Sequence, residues 1–178
     1  MNNIDQFLKD LYLHSNYRGH YPVLKGVFER CSWQNELSDE YDELLDASAA
    51  LLIKIHKDNS ILPSIVDTIF FRNRESLFTH DLIWAFFEAR DPYSLMLIAN
   101  YLHSDDERDI KLACKLLDFV PSIDMTTSRD SKDKYMAFFY WLIENYRFLY
   151  FTGESFQRTS NPIPYKIDSD AKYKGASI

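Results

Sequence analysis

The chain has little that would break a helix. Four glycines and six prolines in 178 residues are too few for a sandwich or barrel of many short strands, and suit long helices joined by short connections. Two cysteines, Cys31 and Cys114, make neither a disulfide framework nor, by themselves, a four-ligand zinc site. Cys114 stands at core spacing in a helix, and both thiols read as small buried hydrophobes in a reducing compartment. The first residues, Met1 to Asp5, carry neither a basic start nor an apolar run, so no secretory signal is expected. The longest apolar stretch, Tyr135 to Ile143, is about half of what crosses a bilayer. A cytoplasmic protein is the expectation. Basic residues are also short, 20 against 27 acidic ones for a net charge of -7, which disfavours nucleic acid and anionic membranes as partners. Another protein with a basic or neutral surface fits better.

What the chain has in abundance is apolar and aromatic bulk. Apolar residues make up 46% and aromatic ones 16%, with thirteen Phe and twelve Tyr, so the chain folds and has rings to spare. A chain of this length buries roughly 70% of its unfolded surface, which predicts one all-helical domain over residues 1–151.

Ile4, Phe7, Leu8, Leu11 and Tyr12 recur at three- and four-residue spacing and predict an amphipathic helix over residues 3–14. Pro22 is placed to open a short helix through Cys31. Ser38 is a cap for a long helix to about Lys57, with Tyr41, Leu44, Leu45, Ser48, Leu52 and Ile55 along one face. Its other face gathers Glu36, Asp39, Glu40, Asp42, Glu43 and Asp46 without one intervening base. Acids there complement the positive end of the helix dipole, and they also make a docking face for a partner.

From about residue 60 the punctuation becomes regular. Pro63, Pro92 and Pro121 recur at an interval of 29 residues, and Leu62-Pro63-Ser64-Ile65 echoes Val120-Pro121-Ser122-Ile123. Helices are expected over residues 62–73 and 76–90. The clearest unit runs from Asp91 to Val120: a helix to His103, a polar turn at Ser104-Asp105-Asp106, and a second helix with two apolar stripes. Ile110, Ala113, Cys114, Leu117 and Val120 form one, and Leu112, Leu116 and Phe119 the other. Ser128 or Ser131 would cap a last helix through about Phe151. Its apolar residues, Tyr135 to Ile143, cover nearly every side and predict a central or interfacial position. From Thr152 to residue 178 the composition changes to an extended tail, packed on the body or on a partner.

Residues 91–120 resemble a HEAT repeat, in which a turn acid is followed by a β-branched residue, a base, and small residues ahead of a leucine. Here these are Asp105, Ile110, Lys111, Ala113, Cys114 and Leu117. Lys111 stands where arginine is usual and Cys114 where a second alanine is usual. The resemblance implies helical hairpins stacked as a short solenoid or irregular bundle.

Chemical motifs are sparse. A glycine-rich phosphate loop, a nucleophile elbow and His-Glu-x-x-His are all missing, so no catalytic residue, cofactor or metal is expected. His103 with Asp105, Asp106 and Glu107 reads as a helix cap with acids in the first turn. Arg74 followed after five residues by His80 resembles the Arg-x4-6-His motif of HEPN ribonucleases, which implies RNA cleavage by that pair in a dimer cleft. Glu75 departs from the polar residue often found beside that arginine. The expectation is a non-catalytic protein-protein interaction module, of the inhibitor, immunity or adaptor kind, binding through an acidic, aromatic-rich helical surface. The alternatives are the ribonuclease and a structural subunit that docks by its tail.

Overall fold

A computed structural model of the chain describes residues 20–33, 39–121, 123, 131–154 and 163–174. The protein is mainly α-helical, with eight α-helices and one two-stranded ribbon among the described residues. The helix expected over residues 3–14 lies outside them, as do Glu36, the cap Ser38 and Ser128.

The chain divides into two compact units, one of residues up to Ile69 with Phe78–Ala89, the other of Phe70–Leu77 with Arg90 onward. In the first, α1 (Tyr21–Trp33) begins where Pro22, second in the helix, has no hydrogen-bond duty. Leu24, Phe28 and Cys31, at intervals of one helical turn, are its buried stripe. Helix α2 (Asp39–Lys54) packs on α1 and also on α4 (His80–Glu88). Leu45, Ala49, Leu52 and Ile53 of α2 and Leu82, Ile83, Ala85 and Phe86 of α4 are buried. Helix α2 ends three residues before the predicted Lys57. There the backbone turns left-handed at Lys57 (φ 56°) and Asp58 accepts from the Ser60 backbone N–H, capping the next turn.

Helix α3 (Leu62–Arg74) carries Pro63 as its second residue, where a first turn tolerates a missing donor, and runs from the first unit into the second. Ser76 (φ 57°) and Arg90 (φ 54°) are left-handed just past α3 and α4. A chain poor in glycine therefore stops three helices with residues that bear a Cβ, a conformation that costs on the order of 1 kcal/mol each.

In the second unit, Asp91 accepts from the Tyr93 N–H and Pro92 opens a 3-10 turn, Pro92–Ser94. It leads into α5 (Leu95–Ala99) and a further 3-10 turn, Asn100–His103. The first arm of the hairpin ends at His103 as expected, but only its middle is α-helical. Helix α6 (Glu107–Leu116) is capped by Asp106 and stops before the expected Val120, although Leu117 and Val120 remain buried. The end of α3 packs here: the rings of Phe70 and Tyr101 stack with centroids 3.6 Å apart.

Helix α7 (Ser131–Asn145) ends six residues short of the predicted Phe151. A 3-10 turn, Tyr146–Phe148, follows, and β1 (Leu149–Phe151) pairs antiparallel with β2 (Tyr165–Ile167), Phe151 opposite Tyr165. Pairing wins because Tyr165 is 3% exposed, its ring set among those of Phe151 and Phe119. Helix α8 (Ser169–Lys174) closes the described chain and contacts the Tyr146–Phe148 turn. Phe138, Leu142 and Asn145 of α7 are buried with Lys134 as one stripe, while Tyr140 is 64% and Ile143 55% exposed. The helix is therefore buried along one side, not on nearly every side.

Candidate interaction surface

The acidic residues proposed for partner binding meet unequal fates. Asp39 and Glu40 stand in the first turn of α2, Glu43 is exposed, and Asp42 and Asp46 are half-buried. Helix α2 has neighbours in both α1 and α4, so part of the side that the acids occupy turns inward.

Arg74 and His80 do not share a helix: Arg74 is the last residue of α3 and His80 the first of α4. The Nδ1 of His80 lies 2.8 Å from the Asp81 carboxylate, on an exposed turn. Arg74 is committed elsewhere. Its Nη1 donates to both oxygens of Asp109, at 3.1 and 2.8 Å, and the Asp109 side chain is 3% exposed. Ser104 Oγ donates to the same carboxylate at 2.8 Å while accepting from the Asp106 N–H, so the polar turn closes over the pair. Arg108 Nη1 donates to the Arg74 carbonyl and Asn73 Nδ2 to the Arg108 carbonyl. The group ties the end of α3 to the hairpin turn. His80 takes no part in it.

A second polar group joins α1 to the turn after α2. Lys25 Nζ donates to Tyr21 Oη, Asp58 Oδ2 and Ser60 Oγ at 3.0, 3.1 and 3.1 Å, and Tyr21 Oη donates to Asp58 at 2.8 Å. Burial alone would raise the Asp58 carboxyl, but hydrogen bonds from Ser60, Tyr21 and Lys25 outweigh it and hold it at about 2. The same bonds, from Tyr21 first and Asp58 second, raise the Lys25 ammonium. A lysine held charged is no base for the Ser60 hydroxyl, so this group is a tie as well.

The surface of the second unit is different in kind. Of the eight exposed large apolar side chains among the described residues, Tyr93, Tyr140, Ile143, Tyr150, Ile163 and Tyr173 belong to it, and Val23 and Phe78 to the first unit. Tyr140, Ile143 and Arg147 follow one another at three- and four-residue steps down the open side of α7 and the turn after it. Arg147 Nε donates to Tyr146 Oη at 2.6 Å, and the Tyr146 ring lies 4.9 Å from that of Tyr93. The Arg147 bond lowers the Tyr146 hydroxyl, and the bond with Tyr146 raises that of Tyr93. Lys172 of α8 bonds Glu144 and Asn145 at the end of α7, and Tyr150 borders a shallow hollow with Ile167, Asp168, Ser169 and Asp170.

His103 lies with its ring 4.5 Å from that of Tyr135, Asp106 is a cap, and Glu107 pairs with Lys111. Among the described residues no three His, Cys, Asp or Glu side chains converge to hold a metal ion, and no helix is long and apolar enough to cross a membrane. Comparison with known protein families, with curated proteins and with solved structures finds no match. Spacing alone did not single out Tyr93, Tyr146, Arg147 or Asp109. Reading the last helix through Phe151 hides Tyr146 and Arg147, and Asp109, in the first turn of α6, has no spacing that marks it.

Proposed function

We propose that this protein is a non-catalytic protein-binding module of the cytoplasm, acting as an inhibitor, immunity-type or adaptor protein on a single protein partner. The observation that carries the reading is the open side of α7 in the second unit, where Tyr140 and Ile143 are exposed in line with Arg147, whose neighbour Tyr146 lies against the exposed Tyr93. Tyrosine and arginine anchor protein interfaces: tyrosine offers a large contact area with a polar tip at little cost in conformational freedom, and arginine a flat guanidinium with several fixed donors. The 91–120 hairpin, with the end of α3 stacked on it through Phe70–Tyr101 and Arg74–Asp109, is a rigid, HEAT-like base for such a surface. The acids Asp42, Glu43 and Asp46 add long-range attraction where the partner's surface is basic. Buried cysteines at Cys31 and Cys114, in no disulfide, suit a reducing compartment.

Two sets of variants test the reading. Tyr140→Ser with Ile143→Ser should weaken partner binding by about 100-fold, the loss of two anchors, with the circular dichroism spectrum unchanged. Charge reversal at Asp42, Glu43 and Asp46 should slow association several-fold and leave dissociation nearly unchanged. Full binding by the Tyr140/Ile143 double variant would overturn the assignment of the face.

A further inference from the structure

The buried charged side chains among the described residues are Arg72, Asp109 and Lys134. Asp109 has Arg74 and Ser104. Lys134 is 8% exposed, yet among the described residues no carboxylate lies within ion-pair distance of its ammonium. Its one hydrogen-bonding neighbour is the Sγ of Cys114, 4.0 Å away. An ammonium withdrawn from water without a counter-charge is costly, and a polar group so placed calls for a role. Cys114 is itself 1% exposed, on α6, and Lys134 is on the first turn of α7, so a thiol and an amine face each other across two helices of one unit. Burial pushes the Cys114 thiol up, and the Lys134 charge beside it opposes that push.

We propose that Cys114 and Lys134 form an oxidation-sensitive pair, which a hydroperoxide converts into a covalent sulfenamide cross-link between α6 and α7. In the first step the Cys114 sulfur attacks the peroxide, the O–O bond breaks, and an alcohol or water leaves. Sulfur is oxidised by two electrons to the sulfenic acid and the peroxide is reduced. In the second step the Lys134 nitrogen, its ammonium having lost a proton, attacks that sulfur with its lone pair as the S–O bond breaks. The leaving hydroxide takes one amine proton and departs as water, and the other ammonium proton goes to solvent. Sulfenic acids condense with a neighbouring nitrogen in this way, and here the nitrogen is already in place. An added dithiol reverses the link by attacking sulfur and releasing the lysine amine. Cys31, in the first unit, is the internal comparison.

The test is made on the full-length protein. It is exposed to hydrogen peroxide, its free thiols are alkylated, and it is digested without reductant for peptide mass analysis. The proposal predicts a peptide pair joined through Cys114 and Lys134, two hydrogens lighter than its parts, that separates on treatment with dithiothreitol. In Lys134→Arg and Lys134→Met no joined pair should form, and Cys114 should run on to the sulfinic acid. Three outcomes overturn the proposal: a pair joined through Cys31 and Cys114, sulfinic or sulfonic acid at Cys114 in the unaltered chain, or a Cys114 still open to alkylation at a dose that oxidises the methionines. The wild-type peptide map decides among these, whether or not the Lys134 variants fold.

Discussion

Replacing Arg74 by methionine should destabilise the protein far more than replacing its partner Asp109 by asparagine. The asymmetry follows from exposure, since the Arg74 side chain is 31% exposed and that of Asp109 3%. Without Arg74, the carboxylate stays buried with only the Ser104 hydroxyl to satisfy it. Removing one partner of a buried pair costs about 3–5 kcal/mol, and the solvent that reaches Arg74 puts this case near 3 kcal/mol. In Asp109→Asn the amide still accepts from Ser104, and the guanidinium turns to water, so about 1 kcal/mol is lost. For a chain of this size those losses lower the melting temperature by roughly 6–12 °C and 2–4 °C. The double variant should be more stable than Arg74→Met alone, because the stranded charge is gone. Urea and thermal unfolding followed by circular dichroism measure all three. A loss below about 1 kcal/mol in Arg74→Met, or additivity in the double variant, would show that the pair does not hold the hairpin turn.

Three further outcomes are expected. Asp58 has its folded pKa depressed to about 2, so its stabilisation is present above the unfolded value near 3.9 and is lost as pH falls through about 2. Because Lys25 reaches solvent, that contribution is about 1 kcal/mol, and Asp58→Asn should remove it at neutral pH and flatten the acid limb of the stability curve. Ser76→Gly should stabilise the protein by roughly 0.5–1 kcal/mol in chemical unfolding, since φ 57° strains serine and suits glycine. Burial raises the Tyr165 hydroxyl well above the ordinary tyrosine range, so in an ultraviolet titration one tyrosine should stay protonated until the fold is lost, and Tyr165→Phe should abolish that late step.

Helix starts were legible where proline and short polar residues mark them. Pro22, Pro63 and Pro92 with Asp91 all stand in first turns, because a helix leaves its first donors unbonded and proline has none to offer. Helix ends were not. Lys57, Ser76 and Arg90 adopt the left-handed turn without the glycine that signals it, and local capping bonds such as Leu77 N–H to the Arg72 carbonyl close the turn. The ribbon was hidden for another reason. Leu149-Tyr150-Phe151 is a second apolar stretch soon after that of α7, and Tyr165-Lys166-Ile167 is too short for alternation to show, so only their pairing defines either strand. The aromatic excess was plain in the composition, but which rings face outward depends on α7 having one buried stripe. Lys134 sits between Asp133 and Tyr135 in a polar first turn and reads as a solvated charge, when the fold turns it onto Cys114.

The central claim is that the open, aromatic side of the second unit binds one protein partner. The most direct measurement is size-exclusion chromatography of the full-length protein with the protein it retains from its native cell extract, run beside the Tyr140→Ser/Ile143→Ser variant. A stoichiometric complex with the wild type, absent with the equally folded variant, is the predicted result. A wild-type protein that elutes alone, or a complex that forms as well with the variant, would contradict the account.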